Sequence, residues 1–182
     1  DIHENYPNAY FLGLTATPFR LDGKSLKAIC DELVIVAKQS TLIAEGFISA
    51  PRVYGAPAGD LPDLEGVRTV GSDYARDELA VACSGSKIVG SIVEHWKKHG
   101  QGMTTIAFAV NVEHSIQIRD AFRGAGVSSE HIDANTKPEE RERIAALLRA
   151  GEVEVLTNVD ITTEGFDAPN VKCLVLARPT QS

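Results

Sequence analysis

Between residues 84 and 177 short apolar runs alternate with helical stripes, and this alternation restricts the chain to very few folds. Ile88, Val89, Ile92, Val93 and Trp96 recur at three- and four-residue spacing, which predicts one buried helix face behind a Ser84 or Ser86 cap and a stop near His99-Gly100. Met103 to Ala109 reads as a buried strand. Asn111 then caps a helix carrying Ile118, Ala121 and Phe122, which Gly124 ends. Val127 to Ile132 is a weaker strand. Thr136-Lys137-Pro138-Glu139 has the spacing of a capping box and opens a helix that buries Ile144, Leu147 and Leu148 before Gly151. Val153 to Leu156 and Val171 to Ala177 supply two more strands. Strands joined through helices by such short links pair in parallel, giving a layered α/β sheet. Ligands of such sheets sit beyond the carboxyl ends of the strands. The loops at 13–23, 109–113, 132–137 and 157–169 are therefore the places to look for chemistry.

The N-terminal part is less regular. Ala9 to Leu14 is a short apolar run bounded by Pro7-Asn8 and by polar Thr15-Ala16-Thr17-Pro18, the pattern of a buried strand. Leu26 to Val36 suits a helix running into a strand, and Leu42 to Ile48 another short element. From Ala50 to about Gly71 prolines and glycines are dense, as in a connector. The expected division is 1–50, a linker over 51–83, and a second unit over 84–182.

Composition narrows the function. The formal net charge is −7, so contact with phosphates has to come from local groups rather than from a bulk basic surface. No apolar run is long enough to span a bilayer, the N-terminus lacks a signal-peptide layout, and the chain reads as cytosolic with no membrane partner. Cys30, Cys83 and Cys173 are too dispersed for a disulfide framework or a metal knuckle. His95 and His99 have the spacing of a zinc pair but no third ligand nearby, so no metal site is expected. Asp22-Gly23-Lys24-Ser25 ends like a phosphate-cradling loop, yet Pro18 stands where the leading glycine should be and has no N–H to offer. The glycines at 100–102 and 124–126 do not make a dinucleotide fingerprint.

Two loops concentrate polar groups beyond a strand. One is Thr15 to Gly23, with two hydroxyls in Thr15 and Thr17; the other is Thr157 to Pro169, with hydroxyls, an amide, three carboxylates and Gly165. Together they resemble the helicases of superfamily two, in the branch that includes DNA-repair helicases and type I and III restriction motor subunits. Thr15-Ala16-Thr17-Pro18 is similar to helicase motif III, Ile106 to Asn111 to motif IV, and Glu164-Gly165-Phe166-Asp167-Ala168-Pro169 to the end of motif V. Arg178 to Ser182 resembles the stretch before motif VI. The resemblance implies a RecA-like parallel sheet flanked by helices, the second helicase lobe, preceded by an N-terminal remnant of the first lobe.

It further implies a fragment of an ATP-dependent motor that moves on DNA, with RNA as the alternative. ATP and Mg2+ would be used by the parent, and the rest of the first lobe would be a partner. Glu164, Gly165 and Asp167 would face the nucleotide, and Thr15 and Thr17 would couple the lobes. Asn111, Thr136, Asn158 and Asp160 would lie toward the nucleic acid strand. Without a phosphate loop, a metal-binding Asp-Glu box or arginine fingers, the isolated chain is expected not to hydrolyse ATP. Severed edges around 9–14 would invite dimerisation or domain swapping. A non-catalytic α/β binding module using the same loops is the competing expectation.

Overall fold

The computed structural model describes residues 5–6, 8–15, 30–71, 73–161 and 168–181. Its centre is a four-stranded sheet of β3 (Thr105–Phe108), β4 (Ser129–Ile132), β5 (Val155–Asn158) and β6 (Cys173–Leu176), in the order β4-β5-β3-β6. Every pairing is parallel and the strands are flush, with Ile132 and Phe108 both opposite Asn158, and Phe108 opposite Leu176. The α/β expectation for this region is met, and all four strands end along one edge.

Alternation along each strand sends neighbouring residues to opposite faces. Ala107 and Val155 pack with α3 (Ser86–His99) and α4 (Val112–Gly124) through Val89, Val93, Trp96, Ile118 and Phe122. Ile106 and Leu156 pack on the other face with Ile144 and Leu148 of α5 (Pro138–Ala150). The stripe predicted for α3 is therefore the buried one. The Trp96 indole N–H donates to Thr105 Oγ1 at 2.7 Å, and its ring meets Phe122 edge-on with centroids 5.2 Å apart. Gly100 is required just beyond α3, since a Cβ there would lie 2.8 Å from the Cys173 sulfur and 2.9 Å from the Trp96 ring.

Helix starts differ among the three caps expected from sequence: Gly85 precedes α3 with no side-chain cap, rather than Ser84 or Ser86. Asn111 caps α4 as predicted, its Oδ1 accepting from the His114 amide at 2.8 Å. The capping box at Thr136 does not form. Pro138 takes the first helical position, where its missing N–H costs nothing, and this makes Lys137 the N-cap. The Thr136 hydroxyl turns back instead, accepting from the Asp133 amide at 2.9 Å and donating to Asp133 Oδ1 at 3.1 Å. Thr136→Ala should therefore destabilise the fold by about 1–2 kcal/mol through loss of this closed turn, and Thr136→Ser should retain most of it. Urea unfolding of these variants beside Thr136→Asp separates this account from a cap, where Asp would serve equally well.

The chain divides into two compact units at Val53 and Tyr54. In the first unit the strand expected at 9–14 is absent: Ala9 to Leu14 is in no ladder, and Tyr10, Leu12 and Leu14 are 87% exposed or more. A buried strand needs ladder neighbours, and this run belongs to neither sheet of the described residues. Residues 30–36 are likewise irregular, while the element expected near Leu42 is a short helix, α1 (Gln39–Ala44). Residues 16–29 lie outside the described set.

Much of the stretch expected as a linker is packed within the second unit. A 3₁₀ turn at Ala58–Asp60 docks on α3: Lys87 Nζ donates to the Gly59 carbonyl at 2.7 Å, and His95 Nε2 lies 3.1 Å from Asp60 Oδ2. The two-residue strands β1 (Thr69–Val70) and β2 (Asp73–Tyr74) pair antiparallel, and α2 (Arg76–Cys83) buries Leu79, Ala80 and Cys83 against Val110. Glycine and proline density marks irregular backbone over 50–68 but says nothing about docking, which Leu64, Val67, Tyr74 and Leu79 provide. Among the described residues no helix is long and apolar enough to cross a membrane.

Candidate functional site

Parallel strands bring four loops to one edge of the sheet: 109–111 after β3, 133–137 after β4, 159–161 after β5 and 177–181 after β6. Of the residues expected to act, Asn111, Thr136, Asn158 and Asp160 fall on this edge. Thr15 is exposed in the first unit. Thr17, Glu164, Gly165 and Asp167 lie outside the described residues.

Asp133 organises the second loop. Its Oδ1 accepts from the Asn135 amide at 2.8 Å, the Thr136 amide at 2.9 Å and the Thr136 hydroxyl. Arg141, one turn into α5, donates through Nη2 to the Asp133 and Ala134 carbonyls at 3.0 and 3.1 Å. Burial pushes the Asp133 carboxyl up, but the donors from Asn135, Thr136 and His131 outweigh it, so the group stays below the usual carboxylate range and is ionised at neutral pH. The donors of Thr136 are thus spent inside the loop. Ala134, Asn135 and Lys137 are the positions that face solvent.

Asn158 is wholly buried. Its Nδ2 donates to the Ala107 carbonyl at 3.0 Å, and its own carbonyl accepts from the Ala109 amide at 3.0 Å, so it ties the ends of β5 and β3 together. Asp160 is the one non-glycine residue with a left-handed backbone among the described residues, at φ 56°. That turn delivers its carboxylate to two guanidinium groups, Arg76 at 2.8 Å and Arg178 at 3.0 Å. Arg178 also reaches Asp73 at 3.0 Å. Asp73 accepts in addition from the amides of Tyr74 and Gln181, and these bonds, the Tyr74 amide first, hold its carboxyl below the ordinary range. The chain of charges links β2, the first turn of α2, the turn after β5 and the exit of β6.

Behind the edge lies a buried polar layer absent from the sequence expectations. Ser115 and Thr157 are fully buried, the Thr157 hydroxyl donating to the Ser115 carbonyl at 3.0 Å. Ser115 Oγ lies 2.7 Å from His131 Nδ1. His114 is also fully buried; its Nδ1 faces the Val110 amide at 3.4 Å, its Nε2 has no partner, and burial lowers its pKa to about 4. One signal for this layer was legible, because Ser115 shares the helical face of Ile118 and Phe122 and so had to point inward. Nothing local marks Arg76 and Arg178 as partners of Asp160, since they are far from it in sequence and meet it only through the sheet.

Among the described residues no three histidine, cysteine, aspartate or glutamate side chains converge as metal ligands. The described part of the edge carries the guanidinium groups of Arg76 and Arg178, each paired with a carboxylate, and the exposed amide and ammonium groups of Asn135 and Lys137.

Comparison with known proteins shows the family of the chain. Residues 86–182 match the helicase conserved C-terminal domain. The whole chain is 34% identical to a 51.5 kDa protein of a Lactococcus phage over 39% of that protein's length. It is 33% identical, over 90% of its own length, to 27% of a protein named as the mitochondrial ATP-dependent helicase irc3 of Schizosaccharomyces pombe. It is 28% identical, over 94% of its length, to 25% of a protein named as the ATP-dependent helicase IRC3 of Saccharomyces cerevisiae. The chain thus spans between a quarter and two fifths of these relatives. With the matched region covering more than half of its residues, the chain belongs to the helicase conserved C-terminal domain family.

Proposed function

We propose that this chain carries the second RecA-like lobe of an ATP-dependent nucleic acid translocase, together with part of the first lobe, and that the strand-end edge grips a polynucleotide backbone, DNA or RNA. The observation that carries this reading is the division of labour along that edge. Asn111, Thr136, Asn158 and Asp160 spend polar groups building the frame, while Asn135 and Lys137 project from the loop the frame supports. Arg76 and Arg178 add guanidinium groups on the Asp160 side. Phosphate contacts of this kind position a strand without reading its bases, which suits a protein that moves along it.

When bound, ATP would supply the hydrolysis that changes lobe spacing, and Mg2+ would neutralise its phosphates. The residues expected to face the nucleotide, Glu164, Gly165 and Asp167, are outside the described set, and the described residues give no ligand trio for the metal. What this chain's described groups can do is bind and orient an anionic backbone; Thr15, and Thr17 outside the described set, are the proposed coupling between the two lobes.

The reading predicts a shallow salt dependence, because among the described residues of the edge one ammonium and two already paired guanidinium groups are available. Fluorescence anisotropy of a labelled oligothymidylate with the full-length protein tests it. Lys137→Ala should weaken binding and reduce the log–log salt slope by about 0.7, the share of one phosphate on a single strand. A slope and affinity unchanged by Lys137→Ala would place the strand elsewhere.

A further inference from the structure

The loop that carries Asn135 and Lys137 is built on one carboxylate, and the side chain behind that carboxylate is His131. Its Nε2 is buried, points at Asp133 Oδ2 from 3.5 Å and has no closer partner. Its Nδ1 is 2.7 Å from Ser115 Oγ. Facing an ionised carboxylate, Nε2 must carry the proton, which leaves the Nδ1 lone pair to accept from the Ser115 hydroxyl. Both side chains of the His131–Asp133 pair are only about a tenth exposed. Burial lowers the His131 pKa against the pull of Asp133, and Arg119 pushes it the same way, so the ring is held neutral with a single tautomer. Ser115 in turn is anchored through its carbonyl to Thr157 of β5. A series of polar contacts therefore runs from β5 through α4 to the outward loop after β4, hydrogen-bonded except at the 3.5 Å approach of His131 Nε2 to Asp133 Oδ2.

The same three residue types make up a hydrolytic triad, but Ser115 is fully buried in a helix and can reach no substrate. The series has a free end only at the loop. There Asp133 Oδ1 gathers the Asn135 amide, the Thr136 amide and the Thr136 hydroxyl, while Oδ2 is left to the imidazole. If the carboxylate rotates, all three Oδ1 bonds are lost together.

We propose that His131 is a positioning residue for the nucleic-acid loop: with Ser115 behind it, its ring fixes the rotamer of Asp133 and so the presentation of Asn135 and Lys137 to the strand. This rests on the reading of that loop given above. It gives His131, a residue that touches no ligand, control over affinity, and it ties the grip of the loop to the packing of α4 on β5.

The test compares His131→Gln, whose side-chain amide can still donate to Asp133 Oδ2, with His131→Leu, which fills the space and donates nothing. Hydrogen exchange of the ligand-free full-length protein and anisotropy with a labelled oligothymidylate are read on both. His131→Leu should raise exchange of the Asn135 and Thr136 amides and weaken binding, each by about tenfold, the effect of losing one polar contact to a charged carboxylate. His131→Gln should restore both to within about threefold of the wild type, with strand β5 amides protected in every variant. Equal behaviour of Gln and Leu, or unchanged exchange at Asn135 and Thr136 in His131→Leu, overturns the positioning role. Should the wild type fail to bind the oligonucleotide while the exchange pattern follows the prediction, the loop reading falls and the control of loop geometry by His131 stands.

Discussion

Phe122→Ala should remove about 3–5 kcal/mol from the unfolding free energy, the usual cost of deleting a fully buried aromatic ring. Phe122 has no exposed surface and closes the joint between α4, α3 and the sheet, edge-on to Trp96 and in one cluster with Ile118, Val127 and Val155. Nothing around it can slide in to fill the space, since Trp96 is held by its hydrogen bond to Thr105 and by the close pass of Gly100. Because single domains are typically stable by only about 5–15 kcal/mol, such a loss brings this unit near its limit. Urea unfolding monitored by Trp96, the only tryptophan, gives the value directly. A loss under about 1 kcal/mol would mean that α3 and α4 do not meet through this ring.

Acid should destabilise the second unit through His114. Its folded pKa of about 4 lies below the ordinary 6.5, so between those values the unfolded chain binds a proton that the folded chain refuses. The stability conferred by the neutral ring is complete above pH 6.5 and is lost as pH falls toward 4. The shift corresponds to about 3 kcal/mol at most. Asp133 and Asp73, whose carboxyls are held below their usual values, lose their contribution only at still lower pH, so the two effects separate. His131 shifts in the same direction as His114 and adds to the wild-type slope. His114→Asn keeps an acceptor for the Val110 amide and cannot titrate. It should be less stable at pH 7 but show a flatter loss between pH 6.5 and 4, and an undiminished slope would assign the acid sensitivity to other groups.

How much of this could be read from the sequence depended on whether a residue's role was local. The α3 stripe and the Asn111 cap are set within one or two helical turns, and they stand where periodicity put them. The parallel sheet follows from the same alternation. The Thr136 cap failed by one residue, because Pro138 settles the helix start and a capping-box pattern does not weigh that. The strand at 9–14 failed because strand formation is a property of neighbours, and apolar alternation cannot show whether a ladder exists. At the candidate site, polarity beyond a strand picked out residues that stand along one edge of the sheet. It did not tell inward from outward groups: Asn158 is sealed within the sheet, and Asp160 meets its arginines only through long-range folding.

The central claim is that this edge belongs to a motor driven by ATP along a polynucleotide. Steady-state ATP hydrolysis by the full-length protein, with and without single-stranded DNA, tests it most directly, with the Asn135→Ala, Lys137→Ala double variant and the 182-residue chain alone beside it. Hydrolysis should be strongly stimulated by the strand, that stimulation should need a higher DNA concentration in the double variant, and the isolated chain should show no turnover. Hydrolysis indifferent to DNA, or mutation-sensitive turnover by the isolated 182 residues, would contradict it.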